Sequence, residues 1–147
     1  MDIFTAIENN NIKAVKSLLL AGLDVTRDNY GYTALHYACW YNCVEIVKLL
    51  ISAGLDINTR NNFGSTALHL ACVNNCVEAA KLLITAGINV RDNFGYTALH
   101  YACKYNRAEI VALLLKQYSS AELKLMMYAD CYDKLRSIIL AEIKTRR

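Results

Sequence analysis

Three patterns of apolar and polar positions alternate along the chain. Val44-Glu45-Ile46-Val47-Lys48-Leu49-Leu50-Ile51 places apolar side chains at helical spacing and leaves Glu45 and Lys48 on the remaining face, which predicts an amphipathic helix. Leu55 to Phe63 alternates in polarity and ends at Gly64, the pattern of an extended hairpin. Thr33-Ala34-Leu35-His36-Tyr37-Ala38-Cys39 opens on a hydroxyl able to cap the first turn of a helix. That helix runs about two turns to Asn42, a residue type that tolerates left-handed backbone.

Each pattern returns. The Thr-Ala-Leu-His phrase recurs at Thr66 to His69 and at Thr97 to His100, and the turn asparagine recurs as Asn75 and Asn106. Second helices are expected over 43–53, 76–86 and 107–117. Gly54 and Gly87 follow the first two, and Gly22 the equivalent run of the first unit, and they are expected to stop their helices in the left-handed conformation; Tyr118 replaces that glycine after the third. From Gly31 to Gly54 is 23 residues, and Gly64 to Gly87 is again 23. Gly22 to Gly31, Gly54 to Gly64 and Gly87 to Gly95 are 9, 10 and 8. A constant helix pair therefore alternates with a short adjustable segment, which predicts fingers that differ in reach or turn type on an undisturbed helix stack.

The phrases Gly31-Tyr32-Thr33-Ala34-Leu35-His36-Tyr37-Ala38-Cys39 and Val47-Lys48-Leu49-Leu50-Ile51-Ser52-Ala53-Gly54-Leu55-Asp56-Ile57-Asn58 resemble the ankyrin repeat, over about Asp2 to Tyr118. Ala34, Ala67 and Ala98 stand where that family usually has proline, and Asn42, Asn75 and Asn106 where it usually has a turn glycine; both changes keep the geometry. The resemblance implies an all-α repeat solenoid, a stack of helix-turn-helix units joined by short hairpin fingers. The expected division of the single domain 1–147 is an N-terminal capping repeat at 2–26, full repeats at 27–59, 60–90 and 91–118, and a C-terminal helical cap at 119–147. In the first unit Ala6, Asn10 and Gly22 align with Ala38, Asn42 and Gly54, with Phe4 in the histidine's place. In the last, Ser119-Ser120-Ala121-Glu122 offers a capping box, and Asp133 aligns with Asn106 as the turn residue.

Composition narrows the chemistry. Apolar residues make up 55% and charged residues 20% of 147, which excludes a disordered chain. No apolar run reaches the roughly 18 residues of a membrane span, and Met1-Asp2-Ile3-Phe4 has no leader pattern, so a soluble cytoplasmic protein is expected. A net charge of +3 is too small and too interleaved to argue for nucleic acid. Cys39, Cys72 and Cys103 occupy one repeat position, and equivalent positions in stacked units lie about 10 Å apart, beyond the ~7 Å a disulfide allows. The six cysteines therefore read as reduced core residues. The spacing of Cys39/Cys43 and Cys72/Cys76 leaves a metal or redox site as an alternative. Three histidines one repeat apart cannot converge to ~2 Å from one metal ion. The family resemblance implies that they tie the threonine-led turn to its own and the neighbouring repeat. Glu45, Glu78 and Glu109 form a column on the polar face, with Lys48 and Lys81 near two of them, which reads as solvated ion pairs. No phosphate loop, nucleophile elbow or paired carboxylates occur, so neither an enzyme nor a cofactor is expected.

The aromatics carry the remaining signal. None of the ten Tyr, three Phe and Trp40 falls in the three second helices that follow the Thr-Ala-Leu-His phrase. Tyr30, Tyr32, Trp40, Tyr41, Phe63, Phe94, Tyr96 and Tyr105 lie on fingers or at first-helix ends, with Arg27, Arg60 and Arg91 at one position of successive fingers. Such residues are enriched at binding hot spots. Ser65, Asn74 and Lys104 complete the candidate surface at equivalent positions. Tyr30, Phe63 and Phe94 also fit a structural finger ladder, but Trp40-Tyr41 is replaced by Val73-Asn74 and Lys104-Tyr105, too free a change of polarity for scaffold. The resemblance implies a concave face that binds another protein, which makes the expected function a monomeric, non-enzymatic interaction module. A nucleic-acid-binding module is a further alternative, with Arg27, Arg60, Arg91 and Lys104 forming a partial basic stripe. Abundant Asn, Ile, Lys and Tyr without proline suit an AT-rich genome of an intracellular bacterium, parasite or large virus, which would make a host protein the partner and the host cytosol the compartment of a secreted effector.

Overall fold

The computed structural model describes residues 1–22, 27–85, 87–129 and 133–146. Among these residues every regular element is a helix. α1 (Ile3–Glu8) pairs with α2 (Ile12–Leu20), α3 (Ala34–Trp40) with α4 (Val44–Ser52), α5 (Ala67–Val73) with α6 (Val77–Leu83), and α7 (Ala98–Lys104) with α8 (Ala108–Leu115). α9 (Ser120–Ala129) and α10 (Asp133–Thr145) complete the chain.

Each helix pair is bent by its asparagine. Asn10, Asn42, Asn75 and Asn106 have φ of 49°, 55°, 56° and 58°, the left-handed region that asparagine enters more readily than other residues with a β-carbon. The amide after the turn then bonds back to the first helix, as Cys43 N–H does to the Ala38 carbonyl at 2.9 Å. Gly22 and Gly54 follow their helices at φ of 75° and 86°, as expected. Gly87 lies beside residue 86, which is outside the described residues. Its helix α6 ends at Leu83, and its amide is held by Asn58 Oδ1 of the preceding finger at 3.1 Å.

Packing gives the stack its curvature. Ala38, Cys39, Ala71, Cys72, Ala102 and Cys103 are buried on α3, α5 and α7, and these small side chains let first helices approach closely. The first helices pack against one another more intimately than α4, α6 and α8 do, so the array curves toward the first helices. Ile46, Leu50, Leu83, Ile110 and Leu114 fill the space between the rows. Truncating one to alanine should cost about 2–5 kcal/mol.

The fingers are tight turns, not extended hairpins. Asp28, Asn61 and Asp92 each accept two amides on one side-chain oxygen: from Tyr30 and Tyr32, from Phe63 and Ser65, and from Phe94 and Tyr96, all at 2.9–3.0 Å. The same tip recurs three times, closed by Asp28 N to Tyr32 O, Asn61 N to Ser65 O and Asp92 N to Tyr96 O. The length variation therefore falls before the tip, and the three tips share one turn type rather than differing in it. Tip stacks on tip through Asn62 N to Tyr30 O and Asn93 N to Phe63 O, both 2.9 Å. A β-carbon on Gly31 or Gly64 would come within 2.5 Å of the Asn62 or Asn93 side chain, so glycine is required there.

At the other end, the Ser119 amide bonds Glu122 Oε2 at 2.7 Å and the Glu122 amide bonds Ser119 Oγ at 3.1 Å, forming the expected capping box. Tyr118 is buried, and its hydroxyl donates to the Ile88 carbonyl at 2.9 Å. α10 lies along α7, and Arg146 donates to the carbonyls of Leu115 and Tyr118, both at 2.8 Å. Asp133 is not the turn residue; it opens α10. Cys131, the sixth cysteine, lies outside the described residues, as do parts of the expected units 2–26, 60–90 and 119–147.

Candidate functional site

The repeated histidines are built into the scaffold. His36 Nδ1 accepts the Thr33 amide at 3.1 Å, which places the ring proton on Nε2, and Nε2 donates to the Ser65 carbonyl of the next finger at 2.9 Å. His69 repeats this with Thr66 and the Tyr96 carbonyl, at 3.1 and 3.0 Å. His100 Nδ1 accepts from Thr97 N at 3.0 Å. Burial holds the pKa of His36 and His69 below the usual histidine range, so both stay neutral near pH 7.

The cysteines are likewise committed. Cys39, Cys43, Cys72, Cys76 and Cys103 are buried. Burial pushes their thiols up, Cys76 to about 11 and Cys103 to about 12, so they remain thiols rather than the thiolates that bind metal. Cys76 Sγ donates to the Cys39 carbonyl of the preceding repeat at 2.9 Å, and Cys43 Sγ donates to that of Ile7 at 3.5 Å. Arg107, at the same repeat position, reaches the Val73 carbonyl at 2.7 Å. Among the described residues no group of three His, Cys, Asp or Glu side chains gathers around a common point.

The arginine column joins finger to finger. Arg27 donates to the Arg60 carbonyl at 2.9 Å and Arg60 to that of Arg91 at 2.7 Å, while Arg91 donates to the Gly95 carbonyl at 2.7 Å. Ser65 is buried, with its carbonyl taken by His36, and lies inside the finger rather than on its surface. Asn74 holds the Trp40 carbonyl through its side-chain amide.

The aromatic candidates stay at the surface. Trp40 and Tyr41 are each 46% exposed, and Tyr30, Phe63, Phe94, Tyr96 and Tyr105 are exposed as well, while Tyr32 is half-buried. Tyr30 and Phe63 stack at 6.4 Å between centroids with an interplanar angle of 20°, so these two rings are both ladder and surface. Lys104 Nζ lies 5.4 Å from the Tyr105 ring centroid.

Two hollows open on this face. The first, about 230 Å³, is walled by Tyr30, Tyr32, Tyr37, Trp40 and Tyr41, with the carboxylates of Glu8 and Asp28 at its edge. The second is smaller and lies between Tyr96, His100, Tyr101 and Lys104. Sequence reasoning missed Tyr37, Asp28 and Glu8. The Tyr37 hydroxyl donates to Asp28 Oδ2 at 2.8 Å, and Tyr101 pairs in the same way with Asp92. Burial pushes the Asp28 pKa up, but hydrogen bonds from Tyr37, Tyr32 and Tyr30 outweigh it and hold the carboxyl below the usual range. Burial and the Asp28 bond push the Tyr37 hydroxyl to about 12. The signal was a paired replacement nine residues apart: Asp28 with Tyr37 and Asp92 with Tyr101, but Asn61 with Leu70. With leucine opposite, Asn61 Nδ2 is buried and has no hydrogen-bond partner among the described residues.

A family model described as ankyrin repeats (3 copies) matches residues 3–61 and 54–126. The chain is 41% identical over 56 residues to ankyrin repeat and SOCS box protein 5 of Bos taurus, a stretch that covers 38% of this chain and 17% of that protein. It is 42% identical over 52 residues to an ankyrin repeat protein of fowlpox virus (strain NVSL), covering 35% and 37%. A further match, 44% identical over 55 residues and covering 37% and 6%, is to potassium channel AKT1 of Arabidopsis thaliana. The matched stretches thus span well under two thirds of these relatives.

Proposed function

The chain belongs to the ankyrin-repeat family, and we propose that it is a non-enzymatic module that holds or blocks another protein on the concave face formed by its fingers and first helices. The observation that carries this reading is the exposure of Trp40 and Tyr41, 46% each, on the face toward which the stack curves. Large rings left in water lose apolar area to solvent that a partner can recover, and they lose little side-chain entropy in doing so. The buried thiols suit a reducing compartment, and a cytosolic monomer is the form we propose.

Affinity capture from cell lysate with the intact chain, beside a Trp40→Ala/Tyr41→Ala control, identifies the partner. Hydrogen exchange of the complex then locates it. Protection is expected on the fingers and on α3, α5 and α7; protection confined to α4, α6 and α8 would contradict the reading.

A further inference from the structure

The face is not electrically uniform. Its N-terminal hollow carries Glu8 and Asp28, whereas the hollow on the third full repeat carries Lys104, with Arg107 5.9 Å from the nearby Tyr105 ring. Between them the middle repeat has the uncharged Leu70, which is buried, and the half-buried Val73 at the matching positions. Asp28 is held by three hydrogen bonds from its own finger and from Tyr37, which fixes its negative charge at the hollow. Glu8, exposed at the end of α1, has no ion-pair or hydrogen-bond partner among the described residues.

Aromatic faces carry negative quadrupole density and attract a cation within about 6 Å, more strongly where water is partly excluded. Tyr37 supplies a fixed wall: its ring lies 4.6 Å from Phe4, 6.2 Å from Tyr32 and 6.3 Å from Tyr41 between centroids. The volume, about 230 Å³, is below the ~300–1,000 Å³ of sites for drug-sized ligands and suits the end of one side chain. We propose that the hollow walled by Tyr37, Trp40 and Tyr41 receives a cationic side chain of the protein partner, a lysine ammonium or arginine guanidinium, with Glu8 as its counter-ion. This rests on the concave-face reading and adds to it the chemistry of the contact.

Trp40 is the single tryptophan, so its indole N–H resonance in the ¹⁵N-labelled full chain reports on the hollow alone. Nα-acetyl-lysine amide and Nα-acetyl-arginine amide are titrated to about 100 mM, beside the norleucine and glutamate analogues, a range that reaches single-side-chain affinities. At least one cationic amide should shift the resonance saturably and bind about fivefold or more tightly than the norleucine amide. Glu8→Gln should melt like the parent and lose about threefold of that affinity. Equal response to the norleucine amide, response to the glutamate amide, no saturable response to either cation, or an unchanged affinity in Glu8→Gln would overturn the proposal. The titration needs no partner, so its failure leaves partner capture and exchange mapping to judge the concave-face reading separately.

Discussion

On the first helix of each full repeat, one side carries the same residues every time and the other does not. Thr33, His36, Ala38 and Cys39 return as Thr66, His69, Ala71 and Cys72 and as Thr97, His100, Ala102 and Cys103, all buried. Tyr37, Trp40 and Tyr41 become Leu70, Val73 and Asn74, then Tyr101, Lys104 and Tyr105. Both sets occupy the same two turns of helix, so propensity does not separate them. In the first two full repeats the recurring set meets the same neighbours, a carbonyl of the next finger and the next first helix. In the first and third full repeats the varying set supplies walls of the two hollows, Tyr37, Trp40 and Tyr41 in one and Tyr101 and Lys104 in the other.

Breaking the recurring side should have the largest effect on stability. His36→Ala leaves the Thr33 amide and the Ser65 carbonyl without their partner in a buried layer and should cost about 3 kcal/mol in urea unfolding. A loss below about 1 kcal/mol would show that water replaces the ring.

Acid should weaken the same side by degrees. His36 and His69 have folded pKa values below the unfolded one, so the unfolded chain binds more protons and stability is lost as pH falls below the ordinary value of 6.5. The loss continues down to the folded pKa values, because a proton on Nδ1 would displace the Thr33 or Thr66 amide. Melting temperature measured from pH 8 to pH 5 should be flat above about 7 and fall below it. A flat profile throughout would mean that the rings titrate as they do in water.

The middle repeat tests whether the varying side can be repaired. Asn61→Asp with Leu70→Tyr restores the pair found on both sides of it and removes the buried Asn61 Nδ2, and should raise stability by roughly 1 kcal/mol. The outer rim sets the lower bound: Glu45 and Lys48 pair at 3.4 Å in the open, and Glu45→Gln should change stability by less than about 0.5 kcal/mol.

Most of the scaffold was legible because each of its rules acts within a few residues. Thr33 capping, the left-handed Asn42 and the Ser119–Glu122 box need only local chain. The bond from the Gly87 amide to Asn58 was not legible, because its partner lies 29 residues away. The fingers were misread as extended because alternation of polarity does not reveal that Asp28, Asn61 and Asp92 fold the tip through their own side chains. At the candidate site, single exposed aromatics were visible in sequence. The Asp28–Tyr37 contact was not, because it is made between a finger and a helix; only the paired change to Asn61 and Leu70 hinted at it.

The central claim is that the varying side is for recognition and not for stability, and Trp40→Ala/Tyr41→Ala tests it most directly when melting and affinity for the captured partner are measured on the same sample. The account predicts a stability change within about 1 kcal/mol and binding weakened by roughly 2 kcal/mol, about 30-fold. A stability loss of about 3–5 kcal/mol, the cost of truncating core aromatics, or an unchanged affinity, would contradict it.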